Sequence, residues 1–335
     1  MKIIVLGNYG PYPPAGGSCS GYLLEHDGCF VLLDCGNGVL SNLQYYIEIK
    51  DLSAVIVSHL HSDHISDLFI LRYAWKREME KDPGLKPLAI YAPNSPEDEF
   101  KRIPYKDAFR VEALNADTDI QIGPMTFSFL QTIHPVLCYA VSAQVEGKKQ
   151  FAYSADTEYF PGLIPFFKGA SLLICEANYL EADLEQGAVN HMSAFQAGSL
   201  ALEANVKDLL LTHLPPYRTE SLYLKEAGQV FPRASLAEQG RHYYCGESPA
   251  NGKKTTEWAQ LDVETDPIVL SLIEGRLKAE GIPVIYSGEA LGGIYGLTTG
   301  PLAEKKILVP ASRLEEAKKI LQDIESQDQM TDDYF

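Results

Sequence analysis

No apolar run in this chain approaches the ~18 residues a membrane-crossing helix needs, so no membrane span is expected. Positive charge is scarce: 28 Lys and Arg stand against 45 Asp and Glu, giving a net charge of −17. Nucleic-acid affinity rests mainly on neutralising phosphates with Lys and Arg. The balance therefore points away from long nucleic acid and toward a small-molecule substrate. Cysteine is sparse and scattered. Cys19, Cys29, Cys35, Cys138, Cys175 and Cys245 form no CxxC pair. A chain of 335 residues does not need disulfide staples, so free thiols and a cytoplasmic location are expected. The N-terminal Met1–Gly7 is too short an apolar stretch for a signal peptide and reads as a first strand. The Pro/Gly loop Tyr9–Ser20 lacks the Lys and Ser pattern of a Walker loop, though Ser18, Ser20 and backbone amides are candidates for touching a phosphate.

What is present is a sizeable apolar fraction, 46%, in a chain long for one domain and comfortable for two. Residues 1–244 alternate strand and helix patterns. Ser20–Leu24 and Phe30–Leu33 read as a hairpin turning at His26-Asp27-Gly28. Ala54–Ser58 reads as a buried strand, and Asp63 to Lys76 carries helical spacing at Ile65, Leu68, Phe69, Leu71 and Trp75. Residues 245–257 have a linker's composition. Residues 258–325 form a second pattern of strand, helix, strand, Gly-rich loop, strand and helix, and residues 326–335 read as a disordered tail.

The sharpest signal is His59-Leu60-His61-Ser62-Asp63-His64, directly after that buried strand. Three imidazoles and a carboxylate share six residues. His59 and His61, two apart in an extended segment, point to the same side. Asp63 and His64 begin the next helix and can face a second ion. His134, Asp156 and His213 each close an apolar strand pattern (FSFLQTIH, FAYSAD, LLLTH), and ligands at strand ends converge on one sheet edge. Imidazole with carboxylate suits zinc first, with manganese or iron as alternatives. The expected protein is a metal-dependent hydrolase with two divalent metal ions. Each ion is a Lewis acid that lowers the pKa of water from ~15.7 toward neutrality.

These motifs, with Asp34-Cys35-Gly36 and Ser154-Ala155-Asp156-Thr157, resemble the metallo-β-lactamase superfamily over residues 1–244. The resemblance implies a four-layered αββα sandwich, an α/β fold with its metal site at one edge. It implies that His59, His61 and His134 bind one ion and that Asp63, His64 and His213 bind the other. Asp156 would bridge them together with a hydroxide. Asp34 reads either as a residue that orients a ligand from behind or as a simple turn residue. Dimers are common in the superfamily, which makes a homodimer a candidate state.

Leu173–Ala201 narrows the branch. It resembles the ribonuclease Z-type phosphodiesterases, in which a Glu after a strand and a His opening a helix form a catalytic pair. Here these are Glu176 and His191, which would help a leaving alkoxide gain its proton while the bridging hydroxide attacks. Asp63 is the third residue assigned to catalysis. The tRNA-processing members carry a long basic arm between the third His motif and the bridging Asp. Here His134 to Asp156 holds only two strands and a turn at Gly147-Lys148-Lys149. The expected substrate is thus a small or cyclic phosphodiester. A lactone, ester or thioester on the same metals is the alternative enzyme, and a metal-binding sensor or regulatory protein the alternative from another class. Residues 258–324 resemble a small domain of unknown function labelled as signal-transducing, with a ferredoxin-like α/β fold.

Overall fold

Short apolar segments separated by Gly, Pro and Asp turns fold here as strands. The computed structural model describes residues 1–245, 258–264, 269, 273, 275–277, 280, 282, 284–287, 305–310 and 313–331. Its contacts fall into two units, Met1–Ser248 and Pro249–Phe335.

The first unit is built on two seven-stranded sheets. β1 (Lys2–Gly7), β2 (Gly21–His26), β3 (Cys29–Leu33), β4 (Leu52–Ile56), β5 (Leu88–Ala92) and β6 (Phe109–Ala113) follow one another across the first sheet. β7 (Ile120–Ile122), β8 (Met125–Gln131), β9 (Tyr139–Val145), β10 (Lys148–Tyr153), β11 (Leu172–Glu176), β12 (Asp208–Thr212) and β13 (Ala234–Leu236) do the same across the second. β14 (His242–Tyr244) then returns to pair antiparallel with β1. The β2–β3 hairpin turns at Asp27 and Gly28, both at positive φ (50° and 76°), which suits a two-residue turn matched to strand twist.

Among the described residues, eight α-helices and a short 3-10 turn at Ile49–Asp51 complete this unit: α1 (Val39–Leu43), α2 (Ser62–Ile65), α3 (Leu68–Lys81), α4 (Glu97–Arg102), α5 (Leu163–Phe167), α6 (Glu181–Glu185), α7 (Ala194–Glu203) and α8 (Glu220–Ala227). Three apolar cores separate four layers. Ile3, Val5, Tyr22 and Val31 meet Phe127, Val141, Phe151 and Ile174 between the sheets. Leu6, Leu23, Leu32 and Val55 pack under Leu43, Leu68, Leu71 and Trp75 of α1 and α3. Leu173, Cys175, Leu209 and Leu211 pack under α5, α7 and α8. Each side of each sheet is covered, as parallel strands require. This is the expected αββα sandwich.

The helix expected over 63–76 is broken into α2 and α3. The Asp67 N–H bonds to the Cys35 carbonyl (3.0 Å) instead of continuing the helix ladder, and its carboxylate accepts the Leu40 N–H (2.9 Å). The break leaves Asp63 and His64 on a short turn of their own, aimed at the strand ends.

In the second unit β15 (Trp258–Glu264), β17 (Lys305–Pro310) and β16 (Ile285–Ser287) form an antiparallel sheet in that order. A strand inserted between two earlier ones is the split arrangement of ferredoxin-like folds. Its core holds Ile273, Leu277, Ile282, Ile307, Val309 and Ala317. The last helix, α9 (Leu314–Thr331), runs past the expected end at Glu325, because the following Ser, Gln and Asp residues include no proline or glycine to stop it. The linker residues 246–257, most of the expected helix 265–280, the Gly-rich loop 288–300 and residues 332–335 lie outside the described residues.

Candidate active site

The chain-terminal ends of β4, β8, β10, β11 and β12 deliver the site residues to one edge of the sandwich, the place where open α/β sheets bind ligands. His59 follows β4, His134 follows β8, Asp156 follows β10, Glu176 ends β11 and His213 follows β12. Every predicted metal ligand falls into one of two neighbouring groups. His59, His61, His134 and Asp156 offer donor atoms within 4.8 Å of one another, and so do Asp63, His64 and His213.

His61 Nδ1 lies 3.1 Å from both His59 Nε2 and His134 Nε2. The Asp156 carboxylate sits between the groups, with Oδ2 3.7 Å from His59 Nε2 and 3.3 Å from His213 Nε2, and Oδ1 3.6 Å from His64 Nε2. Asp63 Oδ2 lies 3.2 Å from His213 Nε2 and 3.6 Å from His64 Nε2. Burial holds His59 well below its ordinary pKa, depresses His61 and takes His134 down to about 4. Burial also disfavours charge at His64, yet Asp156, Asp63 and Asp34 outweigh it and raise that imidazole. Burial likewise opposes the ionised Asp156, but His213, His64 and His59 hold it well below the carboxylate range. Neutral imidazoles crowding their nitrogens together, beside buried His64 Nε2 and Asp156 Oδ1 atoms that have no hydrogen-bond partner, make a donor set fitted to cations.

The candidate ligands are oriented from behind. Asp34, fully buried and at φ 59°, takes four hydrogen bonds: Ser58 N–H (2.7 Å), Ser58 Oγ (2.8 Å), Tyr153 OH (3.0 Å) and His64 Nδ1 (2.8 Å). A carboxylate can only accept, so His64 carries its proton on Nδ1 and turns Nε2 toward the site. Of the two readings open at Asp34, the structure supports the orienting one. His134 Nδ1 is held in the same way by the Asn190 carbonyl (3.2 Å).

Glu176 is fully buried and accepts backbone N–H groups from Thr157 (2.7 Å), Asn178 (3.3 Å) and Met192 (3.2 Å). It also meets His191 Nδ1 at 3.0 Å. Burial works against protonation of His191, but the Glu176 charge and hydrogen bond, then Asp156, push its pKa up to about 9. The His191 ring stacks on His213 at 5.2 Å between centroids, and its donor atoms come within 4.8 Å of those of Asp156 and His213. A proton held beside the donor cluster can be passed to a leaving group there.

The sequence reading did not find three contributors. Asn178 Nδ2 reaches the His213 carbonyl (2.9 Å) and ring nitrogen Nδ1 (3.2 Å). Tyr153 and Ser58 brace Asp34. No local pattern marks them, because their partners lie far away in the chain. Ser18 and Ser20, candidates for touching a phosphate, are buried. Ser18 Oγ accepts the Asn42 side-chain amide (2.9 Å), and Ser20 is wholly enclosed. His26 and His242 lie outside the site. His26 stands 3.8 Å from Asp27, and His242 packs edge-on to Tyr46. All six cysteines are free. Among the described residues no helix is long and apolar enough to cross a membrane.

Comparison with known proteins adds to this geometry. Residues 30–214 match the family model described as "Beta-lactamase superfamily domain". Residues 258–325 match one described as "Putative prokaryotic signal transducing protein". The "Probable metallo-hydrolase YhfI" of Bacillus subtilis is 39% identical over 72% of this chain and 98% of its own length. The crystal structure of YhfI superposes with a TM-score of 0.69 at 37% identity, covering 72% of this chain and 98% of that one. An uncharacterized Mycobacterium tuberculosis protein is 30% identical over 69% of this chain and 87% of its own length. A ribonuclease Z of Azobacteroides pseudotrichonymphae is 28% identical over 71% of this chain and 96% of its own length.

Proposed function

Because the chain belongs to the metallo-β-lactamase superfamily, we propose that it is a metal-dependent hydrolase of small phosphodiesters, cyclic ones included. His59, His61 and His134 would hold one divalent ion, Asp63, His64 and His213 a second, and Asp156 would lie between them, with zinc the metal best suited to this set. Bound there, the ions supply Lewis acidity, which makes water acidic near neutral pH and clamps the oxygens of a displacement at phosphorus.

The observation that carries the phosphodiester reading is the Glu176–His191 pair, 3.0 Å apart beside the ligand cluster. An alkoxide leaving from phosphorus is a strong base and gains most from a proton donor. His191, kept protonated by Glu176, is placed to give that proton. Glu176 keeps the imidazole in orientation and accepts nothing from the substrate, since its oxygens are filled by backbone N–H groups. The likeness to a ribonuclease Z supports chemistry at phosphorus. A small substrate is favoured by β9 and β10, which join through a tight turn at Glu146 and Gly147 and leave no inserted arm between His134 and Asp156. The net charge of −17 also disfavours a long polyanion.

The test is hydrolysis of bis(p-nitrophenyl) phosphate by zinc- or manganese-loaded protein, beside Asp63→Asn and His191→Ala. Turnover should vanish in the first. The second should lose little on this aryl diester, whose nitrophenolate leaves without a proton, but about two orders of magnitude or more on a nucleoside 2′,3′-cyclic phosphate, whose leaving group is an alkoxide. No turnover in fully loaded wild type, with cleavage of a p-nitrophenyl carboxylic ester instead, would move the activity to carbonyl substrates. Tight metal binding with neither activity would leave a sensor.

A further inference from the structure

One peptide unit joins a candidate metal ligand to the candidate proton donor. Asn190 directly precedes His191, and its carbonyl accepts from His134 Nδ1 at 3.2 Å. Asn190 is at φ 76°, a left-handed conformation that Asn enters more readily than other residues with a side chain and that neighbouring groups can pin. Glu158 Oε1 does so by accepting the Asn190 N–H at 2.8 Å. Among the described residues, Glu158 and His134 are the side chains that bond to the backbone of residues 186–190, Glu158 at the Asn190 N–H and His134 at the Asn190 carbonyl. Glu158 is itself fixed, since its own N–H donates to the Ile133 carbonyl at 3.0 Å, one residue before His134. It also lies two residues after Asp156, and the intervening Thr157 N–H donates to Glu176. Segments 132–134, 156–158 and 190–192 are thus braided by short hydrogen bonds.

We propose that Glu158 is a positioning residue: by holding the Asn190 N–H it fixes the 189–190 peptide and the φ of Asn190, and through that residue both the carbonyl that meets His134 Nδ1 and the backbone from which His191 reaches Glu176. This rests on the reading that His134 holds an ion. A backbone carbonyl can only accept, so while the Asn190 carbonyl stays in place His134 keeps its Nε2 lone pair toward His61 and His59. Losing the Glu158 contact frees the 189–190 peptide, so Asn190 can rotate about its φ and carry its carbonyl away from His134. The His134 ring then loses its anchor, and the loop carrying His191 loosens with it. Groups that orient metal ligands from behind contribute about 10–100-fold in affinity.

The experiment titrates zinc into metal-free full-length protein against a chelating chromophore, for wild type, Glu158→Ala and Glu158→Gln. Parallel kinetics use bis(p-nitrophenyl) phosphate. Glu158→Ala should weaken one of the two zinc ions about tenfold or more and leave the other near wild type. It should lower kcat with little change in KM. Glu158→Gln, whose amide oxygen still accepts the Asn190 N–H, should restore both. Equal weakening of both ions in Glu158→Ala, unchanged affinity there, or a Gln variant as impaired as the Ala one would overturn the proposal. If the Ala variant does not fold, the Gln variant decides alone: wild-type zinc binding supports the hydrogen bond, and loss refutes it. The zinc arm reads out even if the wild type cleaves no diester, in which case the phosphodiesterase reading fails while this one is still judged.

Discussion

Gly10 lies so close to the imidazole of His213 that a Cβ at residue 10 would fall 2.1 Å from Nε2 and 2.3 Å from Cδ2 and Cε1. Real Cβ atoms do not make such contacts, so any side chain at residue 10 must displace the ring. His213 Nε2 sits 3.2 Å from Asp63 and 3.3 Å from Asp156, and the ring has little freedom elsewhere. Gly10→Ala is therefore expected to strip the ion of the Asp63, His64 and His213 group while the other group keeps its own. Metal analysis after exhaustive dialysis should fall from two zinc ions per chain toward one, with hydrolysis largely lost. Full occupancy in the variant would show that the ring has room to move.

Asp34 makes a second, different prediction. Asp34→Ala would leave the Ser58 N–H, the Tyr153 hydroxyl and His64 Nδ1 buried without their shared acceptor. Removing one partner of a buried, hydrogen-bonded charged group costs about 3–5 kcal/mol. The loss should appear in urea unfolding of the metal-free protein, where no ion can mask it. A loss below about 1 kcal/mol, the scale of one ordinary hydrogen bond, would mean that water replaces the carboxylate.

These two residues show where the sequence stops being readable. The candidate ligands His59, His61, Asp63 and His64 stand out because several strong donors in six residues have few structural uses. His134, Asp156 and His213 stand out because each closes an apolar strand. Asp34 stood between two readings, since its four donors come from residues 58, 64 and 153 and none of those contacts leaves a local pattern. Gly10 reads as one more glycine in a loop, and only the fold brings it to a residue 203 positions away (213 − 10). The strands β6, β7, β13 and β14 escaped for a related reason. They are short, lie at or near the sheet margins, and carry mixed patterns such as FRVEA, so their pairing is set by neighbours more than by their own alternation.

The His191 proton gives a pH signature. Its imidazole is lifted to about 9 by Glu176, against the effect of burial. The donor form therefore prevails at neutral pH and is lost as pH rises through that value. Bound cations nearby repel the imidazolium, so the limb in loaded enzyme should fall at or below pH ~9. On a diester with an alkoxide leaving group, the kcat profile of wild type is expected to decline on its alkaline side. His191→Ala should lack that limb and run about 10²-fold lower at pH 7. An alkaline limb retained unchanged in the variant would assign it to another group.

His242 makes the matching argument for stability, away from the metal ligands. It lies on β14, pairs with Ile4 of β1 and packs edge-on to Tyr46. Burial, with a smaller contribution from Lys2, lowers its pKa to about 4 in the folded chain. An unfolded histidine titrates near ~6.5. Between these values the unfolded state binds the extra proton, so stability rises with pH across that window. The contribution is whole above ~6.5 and is lost as pH falls toward ~4. His242→Phe keeps an aromatic ring beside Tyr46 and removes the proton. Urea midpoints of wild type and variant should then converge above pH 7 and diverge in favour of the variant near pH 5. Parallel curves through the acid range would mean that His242 is solvated in the folded chain, and that β14 is held on β1 by its backbone hydrogen bonds rather than by a neutral buried ring.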